Sequence, residues 1–291
     1  MAVILEVENA AFSYNRKRPV FHDISFAVAQ GEILSILGRN GIGKSTLIKC
    51  ILNLMPLQKG RVRLSGKNIS SLKLMDMASM VGYVPQMSQV VFPFSVSEFV
   101  LMGRAPYISM FKTPGRADSR MTARTLEKVG ISHLAHKSIG DISGGERQMV
   151  MIARAINQSP RLLILDEPTS HLDVANQIKV LSIIEMLSNE GISVIMTTHF
   201  PDHGFLLSQR IAVMQHGRFI AVGNAGEVLT PRILFEAYGV DIDVCYVHEA
   251  GRRVCIPQCD FNTGADPTAN KTIHPVIGDF RRPIFGRSTE Y

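Results

Sequence analysis

Hydrophobic and polar residues alternate at the start of the chain, and other hydrophobic patterns follow farther along. Over Val3–Phe12 the alternation is typical of an exposed antiparallel strand. The apolar run Ile33–Leu37 ends at Gly38, and the apolar residues after it have the spacing of a helix that Pro56 would end. The pattern therefore predicts a strand, a glycine loop and a helix in succession.

Short apolar runs farther along the chain predict more strands. They lie at residues 61–64, 81–84, 162–165 and 192–197, and a hairpin signal joins residues 211–215 to 219–222. Residues 87–157 differ, because they are rich in methionine and have helical periodicity. Strands that alternate with helices predict an α/β core, and the stretch 87–157 predicts a second, helical lobe inserted into it.

Periodicity is lost near the C-terminus. From residue 258 onward Pro, Gly, Asn and Asp become frequent. We therefore expect residues 1–257 to form the folded unit and residues 258–291 a weakly ordered tail.

The composition is that of a folded protein without a membrane span of its own. Of 291 residues, 46% are hydrophobic, and no stretch approaches the ~18 consecutive apolar residues that a span needs. The N-terminus has no basic start and is charged at Glu6, unlike a secretion signal. The net charge is +6, but the basic residues are scattered apart from Arg16-Lys17-Arg18 and Arg281-Arg282. We expect a soluble chain with no nucleic-acid partner, linked to a membrane only through another protein.

The glycine loop after the second predicted strand carries a phosphate-binding motif. It fits the pattern G-x-x-x-x-G-K-[ST] and consists of Gly38, Arg39, Asn40, Gly41, Ile42, Gly43, Lys44, Ser45 and Thr46. Glycines let successive amide N–H groups turn toward an anion, and the helix behind them adds its positive dipole end. Lys44 is expected to reach the β- and γ-phosphates of a nucleotide, and the Ser45 hydroxyl to ligate Mg²⁺. Alone, the motif fits kinases, GTPases and many ATPases.

Paired carboxylates follow the apolar run at residues 162–165. Asp166 and Glu167 stand at the carboxyl end of this predicted buried strand, which is the edge where open α/β sheets bind ligands. Asp166 is expected to hold Mg²⁺ through water, and Glu167 to polarise the water that attacks the phosphate.

A serine and two glycines precede a further predicted helix. Ser143 can cap that helix and Glu146, three residues on, completes a capping box. Gly144 and Gly145 would weaken its first turn by roughly 1 kcal/mol each, so they need a reason, and close approach of the backbone to a phosphate is one. The segment Ile142-Ser143-Gly144-Gly145-Glu146 resembles the LSGGQ signature of the ABC ATPase family, with Ile for Leu and Glu for Gln.

The resemblance extends over about residues 3–257 and implies roles for further residues. Tyr14 is similar to the aromatic residue that stacks on adenine, and Gln86 to the glutamine that senses Mg²⁺ and water between the two lobes. Asp173 lies in a segment that resembles the loop crossing the dimer interface, and His199 resembles the switch histidine that contacts the γ-phosphate. The implied fold is a RecA-like phosphate-loop core with an antiparallel β-subdomain and an inserted α-helical subdomain.

The resemblance also implies a mechanism. Two copies would meet head to tail, so that each ATP lies between the phosphate loop of one subunit and the signature of the other. ATP binding would join the copies, and hydrolysis would release them. The catalytic group would consist of Glu167, His199, Gln86 and Lys44, and Mg²⁺ would be held by Ser45, Gln86 and Asp166.

One phosphate loop and no predicted span favour a separate importer subunit, a homodimer on the cytoplasmic face of the inner membrane. Its partners would be a permease dimer, contacted by a helical-lobe segment around residues 87–112, and indirectly an extracytoplasmic substrate-binding protein. The segments at 94–104 and 238–241 resemble the group that imports iron siderophores, haem, cobalamin and molybdate. A zinc or manganese importer, and a transport-free ATPase acting as a clamp on nucleic acid, stay as alternatives.

Soft metal ligands are concentrated near the C-terminus. Cys245, His248, Cys255 and Cys259 lie within a short span, but their spacing fits no common zinc or cluster motif. We expect free thiols on a terminal β-segment, with a metal site as the alternative.

Overall fold

The structure is a computed structural model that describes residues 2–15, 19–86, 93–109, 112–207 and 210–258. Several predicted features lie outside these residues: the basic groups 16–18 and 281–282, Cys259, the tail beyond Gln258, and positions 87–92 and 110–111 of the segment expected to contact a permease.

The strands and helices alternate through most of the chain. The strands are β1 (Val3–Phe12), β2 (Phe21–Ala29), β3 (Ile33–Leu37), β4 (Lys59–Leu64), β5 (Lys67–Asn68), β6 (Val81–Val84), β7 (Leu162–Leu165), β8 (Ser193–Thr198), β9 (Arg210–Gln215), β10 (Arg218–Asn224), β11 (Ile242–Val247) and β12 (Arg252–Pro257). The α-helices are α1 (Lys44–Ile51), α2 (Leu74–Met80), α3 (Val96–Leu101), α4 (Arg116–Val129), α5 (Gly144–Asn157), α6 (Val174–Asn189), α7 (Asp202–Leu207), α8 (Ala225–Val228) and α9 (Pro231–Tyr238). Short 3₁₀ helices lie at Ile69–Ser71, Met102–Tyr107 and Ser132–Leu134.

The main sheet of the described residues has the strand order β10-β9-β3-β8-β7-β6. Neighbours from β9 to β6 run parallel, and β10 closes the edge as an antiparallel hairpin with β9. Every residue of β3, β7 and β8 is buried, as expected for parallel strands covered on both faces. Along β8, Val194 and Met196 pack into one core and Ile195 into the other.

A smaller antiparallel sheet, with the order β2-β1-β4-β5 in the described residues, packs against the core that contains Ile195. The prediction of an antiparallel β1 is confirmed, but the prediction that this strand is exposed is wrong. It pairs with β2 on one side and β4 on the other, and residues such as Leu5 and Val7 are buried because they pack into the core beneath the sheet. The strand β2 was not predicted, because His22 and Asp23 interrupt the alternation that resumes at Ile24.

Helices dominate the described residues between β6 and β7. There α3, α4 and α5 pack together around Val100, Leu126 and Val150. The fold class predicted from the sequence is thereby confirmed: a parallel α/β core with an antiparallel β-sheet and an inserted group of helices. The end of α1 was misplaced, since the helix ends at Ile51 rather than near Pro56, and Asn53 then takes a left-handed φ of 56°.

The described chain ends in α9 and the hairpin β11–β12. Thr230 caps α9 by accepting a hydrogen bond from the Ile233 N–H at 3.3 Å, and Pro231 occupies its first turn. Gly239, with φ of 73°, ends the helix and turns the chain into β11. Among the described helices, none has the length and apolarity needed to cross a bilayer.

Candidate active site

The sequence motifs converge because the strands that precede them lie side by side. The strands β3, β8, β7 and β6 are consecutive and parallel, so their carboxyl ends share one edge of the sheet. The phosphate loop follows β3, His199 follows β8, Asp166 and Glu167 follow β7, and Gln86 follows β6. This is the edge at which open α/β sheets bind ligands.

The phosphate loop has the backbone that an anion site needs. Gly41 and Gly43 adopt left-handed φ values of 79° and 110°, which glycine tolerates best. At Gly43 a Cβ atom would also come within 2.9 Å of the Val20 side chain. Within the described residues no side chain caps the start of α1, so its first amide N–H groups stay available to an anion.

Lys44 is held in place by the loop itself. Its Nζ donates hydrogen bonds to the Gly38 carbonyl at 2.7 Å and the Arg39 carbonyl at 3.0 Å. It also lies 3.0 Å from Glu167 Oε1 in a buried ion pair. The predicted phosphate-binding lysine and the predicted catalytic carboxylate are therefore direct neighbours.

Glu167 contacts residues from several of the predicted motifs. Its Oε2 accepts hydrogen bonds from Gln86 Nε2 at 3.1 Å and Ser170 Oγ at 2.9 Å, and lies 3.2 Å from His199 Nδ1. Burial opposes its ionisation, but the Lys44 ammonium, Ser170 and His199 outweigh that effect and hold the pKa of Glu167 below its usual value. Glu167 is therefore a carboxylate at neutral pH.

The backbone of Glu167 is unusual for a glutamate. Its φ is 49°, in the left-handed region, and its N–H donates to Thr197 Oγ1 at 2.8 Å. Such strained conformations cost of order 1–3 kcal/mol and occur most often at functional sites.

Asp166 is buried beside the phosphate loop. Its Oδ1 accepts hydrogen bonds from Thr197 Oγ1 at 2.6 Å and from Ser45 Oγ at 3.1 Å. Two of the oxygen-bearing residues predicted to hold Mg²⁺, Ser45 and Asp166, are thus brought together, and the third, Gln86, lines the same cavity as Ser45.

A cavity of about 340 Å³ opens over the phosphate loop. Its lining consists of Tyr14, Val20, Asn40, Gly41, Gly43, Lys44, Ser45, Thr46, Gln86 and Glu167. The Tyr14 ring is 66% exposed and stands edge-on to Phe12, and its hydroxyl lies 3.1 Å from Thr46 Oγ1. An exposed aromatic ring at the mouth of this cavity can stack on a base.

The signature segment caps α5 as predicted. Ser143 N–H donates to Glu146 Oε2 at 2.8 Å, and Glu146 N–H donates to Ser143 Oγ at 3.2 Å. These bonds from the backbone and hydroxyl of Ser143 lower the pKa of Glu146. The family's usual Gln can fill the same box position, so the departure to Glu keeps the cap.

The two glycines of the signature have different surroundings. A Cβ on Gly145 would come within 2.4 Å of Asn176 Nδ2 on α6, so a larger residue there would displace the end of that side chain. A Cβ on Gly144 would meet nothing within 4 Å in the described structure. The sequence suggested the approach of a phosphate as the reason for both glycines. At Gly145 the contact with Asn176 is a second reason, whereas at Gly144 the described structure offers no other.

Asp173 and the signature do not join the phosphate-loop cavity. Asp173 is exposed and caps α6, accepting from Asn176 N–H at 2.8 Å. In the part of the chain that the structure describes, neither Asp173 nor residues 143–146 line the cavity.

Sequence reasoning missed several residues that hold the site. Val20 was not selected, and neither were Ser170, Thr197 and Tyr238, whose segments were noted only for other reasons. Tyr238 Oη donates to the carbonyl of His199 at 2.8 Å. Ser170 and Thr197 could have been predicted as site residues, because each carries a hydroxyl and lies close in sequence to Glu167 or His199. Nothing in the local sequence pointed to Tyr238.

The C-terminal cysteines do not form a metal site within the described residues. Cys245 pairs across the hairpin with Val254, and Cys255 with Val244. Neighbouring positions of a strand point to opposite faces, so the two thiols lie on opposite sides. No group of three or more His, Cys, Asp or Glu residues in the described chain is arranged to hold a metal ion, and Cys259 lies outside it.

Several known proteins are similar to this chain in sequence and in fold. The profile of the ABC transporter family matches residues 21–170. The iron(3+)-hydroxamate import ATP-binding protein FhuC of Bacillus subtilis is 33% identical over 253 residues, covering 87% of this chain and 94% of that protein. The manganese transport system ATP-binding protein MntB of the same organism is 36% identical over 237 residues, covering 81% and 92%.

A solved structure, described as a metal-chelate type ABC transporter in an inward-facing conformation, is also similar. It superposes with a TM-score of 0.79 at 30% identity, covering 89% of this chain and 98% of that one. The family match spans more than half of the chain and includes the phosphate loop and the signature. The chain therefore belongs to the ABC transporter family, as a member that binds and hydrolyses ATP.

Proposed function

We propose that this ATPase drives an importer as a homodimer, in which two copies enclose ATP head to tail. One observation carries the dimer: the start of α5 at Ser143 and Gly144 is exposed and has the form of an anion site, yet it takes no part in the cavity of its own chain. The triphosphate would complete that cavity by meeting Ser143 of the second copy.

The surface beside the signature supports the same arrangement. Val174, at the start of α6, is 75% exposed, and Ile178, one turn on, is also exposed. Asn176 between them packs against Gly145. An apolar pair beside an exposed helix start is suited to burial against a second protomer, and Asp173 would stand at the edge of that interface.

Residues in the cavity, together with His199 beside it, would have different chemical roles. Lys44 would leave Glu167 for the β- and γ-phosphates, which compete for its ammonium. Glu167, released from that ion pair, would accept a hydrogen bond from the attacking water and orient it toward the γ-phosphate. Gln86 and His199, which already contact Glu167, would fix its position, and His199 would also reach the γ-phosphate.

Mg²⁺ fits the oxygen ligands at this edge of the sheet. Ser45 and Asp166 are within hydrogen-bond distance of each other, and together with Gln86 they offer hydroxyl, carboxylate and amide oxygens, which Mg²⁺ prefers. When bound, Mg²⁺ neutralises charge on the phosphates.

An apolar groove suits the permease. Its cavity of about 440 Å³ lies between α2 and the 3₁₀ segment Met102–Tyr107, and its rim exposes Leu54, Leu74, Met75 and Met102. Leu74 is 78% exposed. ABC importer ATPases work with membrane permeases, and an amphipathic helix from such a permease would bury this surface. The chain would then lie on the cytoplasmic face of the membrane, with a substrate-binding protein acting on the far side.

The solute we propose is a metal chelate, such as an iron siderophore. The support comes from the relative that imports iron(3+)-hydroxamate and from the similar metal-chelate type transporter. Manganese is the alternative, supported by the manganese transport relative. Importer subunits among the relatives favour transport over a clamp on nucleic acid.

Co-purification tests the transport part of the proposal. Tagged wild type and Leu74→Asp are to be purified from detergent-solubilised membranes of the native cell. The wild type should retain a polytopic permease that the variant loses, while both hydrolyse ATP equally in isolation. Uptake of labelled ferric hydroxamate and of manganese in a strain lacking this ATPase then identifies the solute. Retention of the same permease by both proteins would contradict the proposed docking surface.

A further inference from the structure

The segment 231–257 holds the loop that carries His199. This loop joins β8 to α7 and consists of residues 199–201. On one side Tyr238, the last residue of α9, donates its hydroxyl to the His199 carbonyl at 2.8 Å. On the other side the Cys255 N–H, from β12, donates to Asp202 Oδ1 at 3.0 Å. The loop is therefore tied at both ends to a part of the chain that follows the main sheet.

The helix that carries Tyr238 is anchored close to the phosphate loop. Leu234 and Ala237 of α9 are fully buried in a cluster with Leu37 and Val213. Leu37 is the last residue of β3 and directly precedes the loop that begins at Gly38. The position of the Tyr238 hydroxyl is thus fixed relative to the cavity, although Tyr238 does not line it.

The hydrogen bond acts on the backbone of a residue whose side chain contacts Glu167. His199 Nδ1 lies 3.2 Å from Glu167 Oε2, and the carbonyl of the same residue is fixed by Tyr238. Burial raises the pKa of Tyr238, so the phenol stays protonated and able to donate. Loss of this bond would leave the His199–Phe200 peptide held only at its N–H side, where Phe200 N–H donates to Thr198 Oγ1 at 3.1 Å, and would remove the restraint on the His199 carbonyl.

We propose that Tyr238 is a positioning residue for ATP hydrolysis, which fixes His199 against Glu167 and makes the α9 segment part of the catalytic apparatus. The inference rests on the catalytic role proposed above for His199. It predicts that loss of the Tyr238 hydroxyl lowers turnover by displacing His199 and leaves nucleotide binding unchanged.

A double-mutant cycle tests the inference. ATPase kinetics are measured for wild type, Tyr238→Phe, His199→Ala and the double variant, with Tyr246→Phe as the control, since Tyr246 is exposed on β11. Because one hydrogen bond contributes a net ~0.5–1.5 kcal/mol, Tyr238→Phe should lower kcat about two- to thirteenfold. The KM for ATP should not change, and Tyr246→Phe should match wild type.

In the His199→Ala background, Tyr238→Phe should lower kcat no further. If Tyr238→Phe keeps full turnover while His199→Ala loses it, the inference is overturned and the proposed role of His199 stands. Equal fold losses in both backgrounds would also overturn it, since they indicate a general structural effect, which thermal unfolding would register. Full turnover of His199→Ala would instead refute the role of His199 and with it the positioning role.

Discussion

Replacement of Glu167 by Gln should separate ATP binding from hydrolysis. The substitution keeps the shape of the side chain but removes the charge that Lys44 faces at 3.0 Å. It also places an amide NH₂ among hydrogen-bond donors, because Gln86 and Ser170 donate to Oε2 of the wild-type carboxylate. Hydrogen bonds to charged groups contribute ~1.5–3 kcal/mol. Since the amide oxygen retains some of them, the variant should lose about 1–3 kcal/mol of unfolding free energy.

Turnover should fall much more than stability. General-base assistance contributes about 10²–10⁴ in rate, so kcat should drop by at least about 10². ATP affinity should equal or exceed that of wild type, because the Lys44 ammonium no longer has a carboxylate partner. Steady-state ATPase assays, equilibrium binding of a labelled ATP and gel filtration with ATP measure the three effects, and the last should show dimers.

Glu185→Gln serves as the matched control, because Glu185 is an exposed residue of α6. It should behave as wild type in every assay. Turnover of Glu167→Gln within about threefold of wild type would show that Glu167 does not assist the attack. A variant that binds ATP yet stays monomeric would refute the enclosed-dimer arrangement.

Other predictions follow from single contacts. Tyr14→Ala should weaken ATP binding by about fivefold or more, since stacking on a base contributes ~1–3 kcal/mol, whereas Tyr14→Phe should not. Gly145→Ala should change the unfolding free energy in urea by less than about 1 kcal/mol, because the displaced Asn176 amide loses its hydrogen bond to Asp173 while alanine gains about 1 kcal/mol of helix propensity. Gly144→Ala should be at least as stable as wild type, by up to about 1 kcal/mol from helix propensity, but should lose turnover. Burial lowers the pKa of His203 to about 4, so the unfolded chain takes up its proton first as the pH falls. Between about pH 7.5 and about pH 5 the wild type should therefore lose about 2 kcal/mol more than His203→Asn; equal losses would contradict the burial of a neutral imidazole.

Local motifs were readable from the sequence because their geometry is local. The phosphate loop and the signature are continuous segments in which glycine placement and the Ser143–Glu146 box determine the backbone. The parallel core could be predicted from runs such as Leu162–Leu165, since fully buried strands are apolar throughout.

Contacts that depend on strand register or on helix packing could not be read in this way. Leu165 pairs with Met196, which brings Asp166 beside Thr197, and no pattern within either strand specifies that register. The bond from Tyr238 depends on where α9 packs. The strand β2 was missed because polar residues interrupt its alternation.

The joint enclosure of ATP by two protomers can be tested by mixing two defective variants, both in the Glu167→Gln background. Lys44→Ala disables the phosphate loop. Ser143→Asp keeps the cap of α5, because Asp is as good an N-cap as Ser, but opposes the triphosphate with a negative charge. Each variant alone should stay monomeric with ATP. Their mixture can form one site from an intact loop and an intact signature, so it should yield ATP-dependent dimers with one nucleotide per dimer. A mixture that stays monomeric, or Ser143→Asp that dimerises alone as well as its parent, would contradict the shared site.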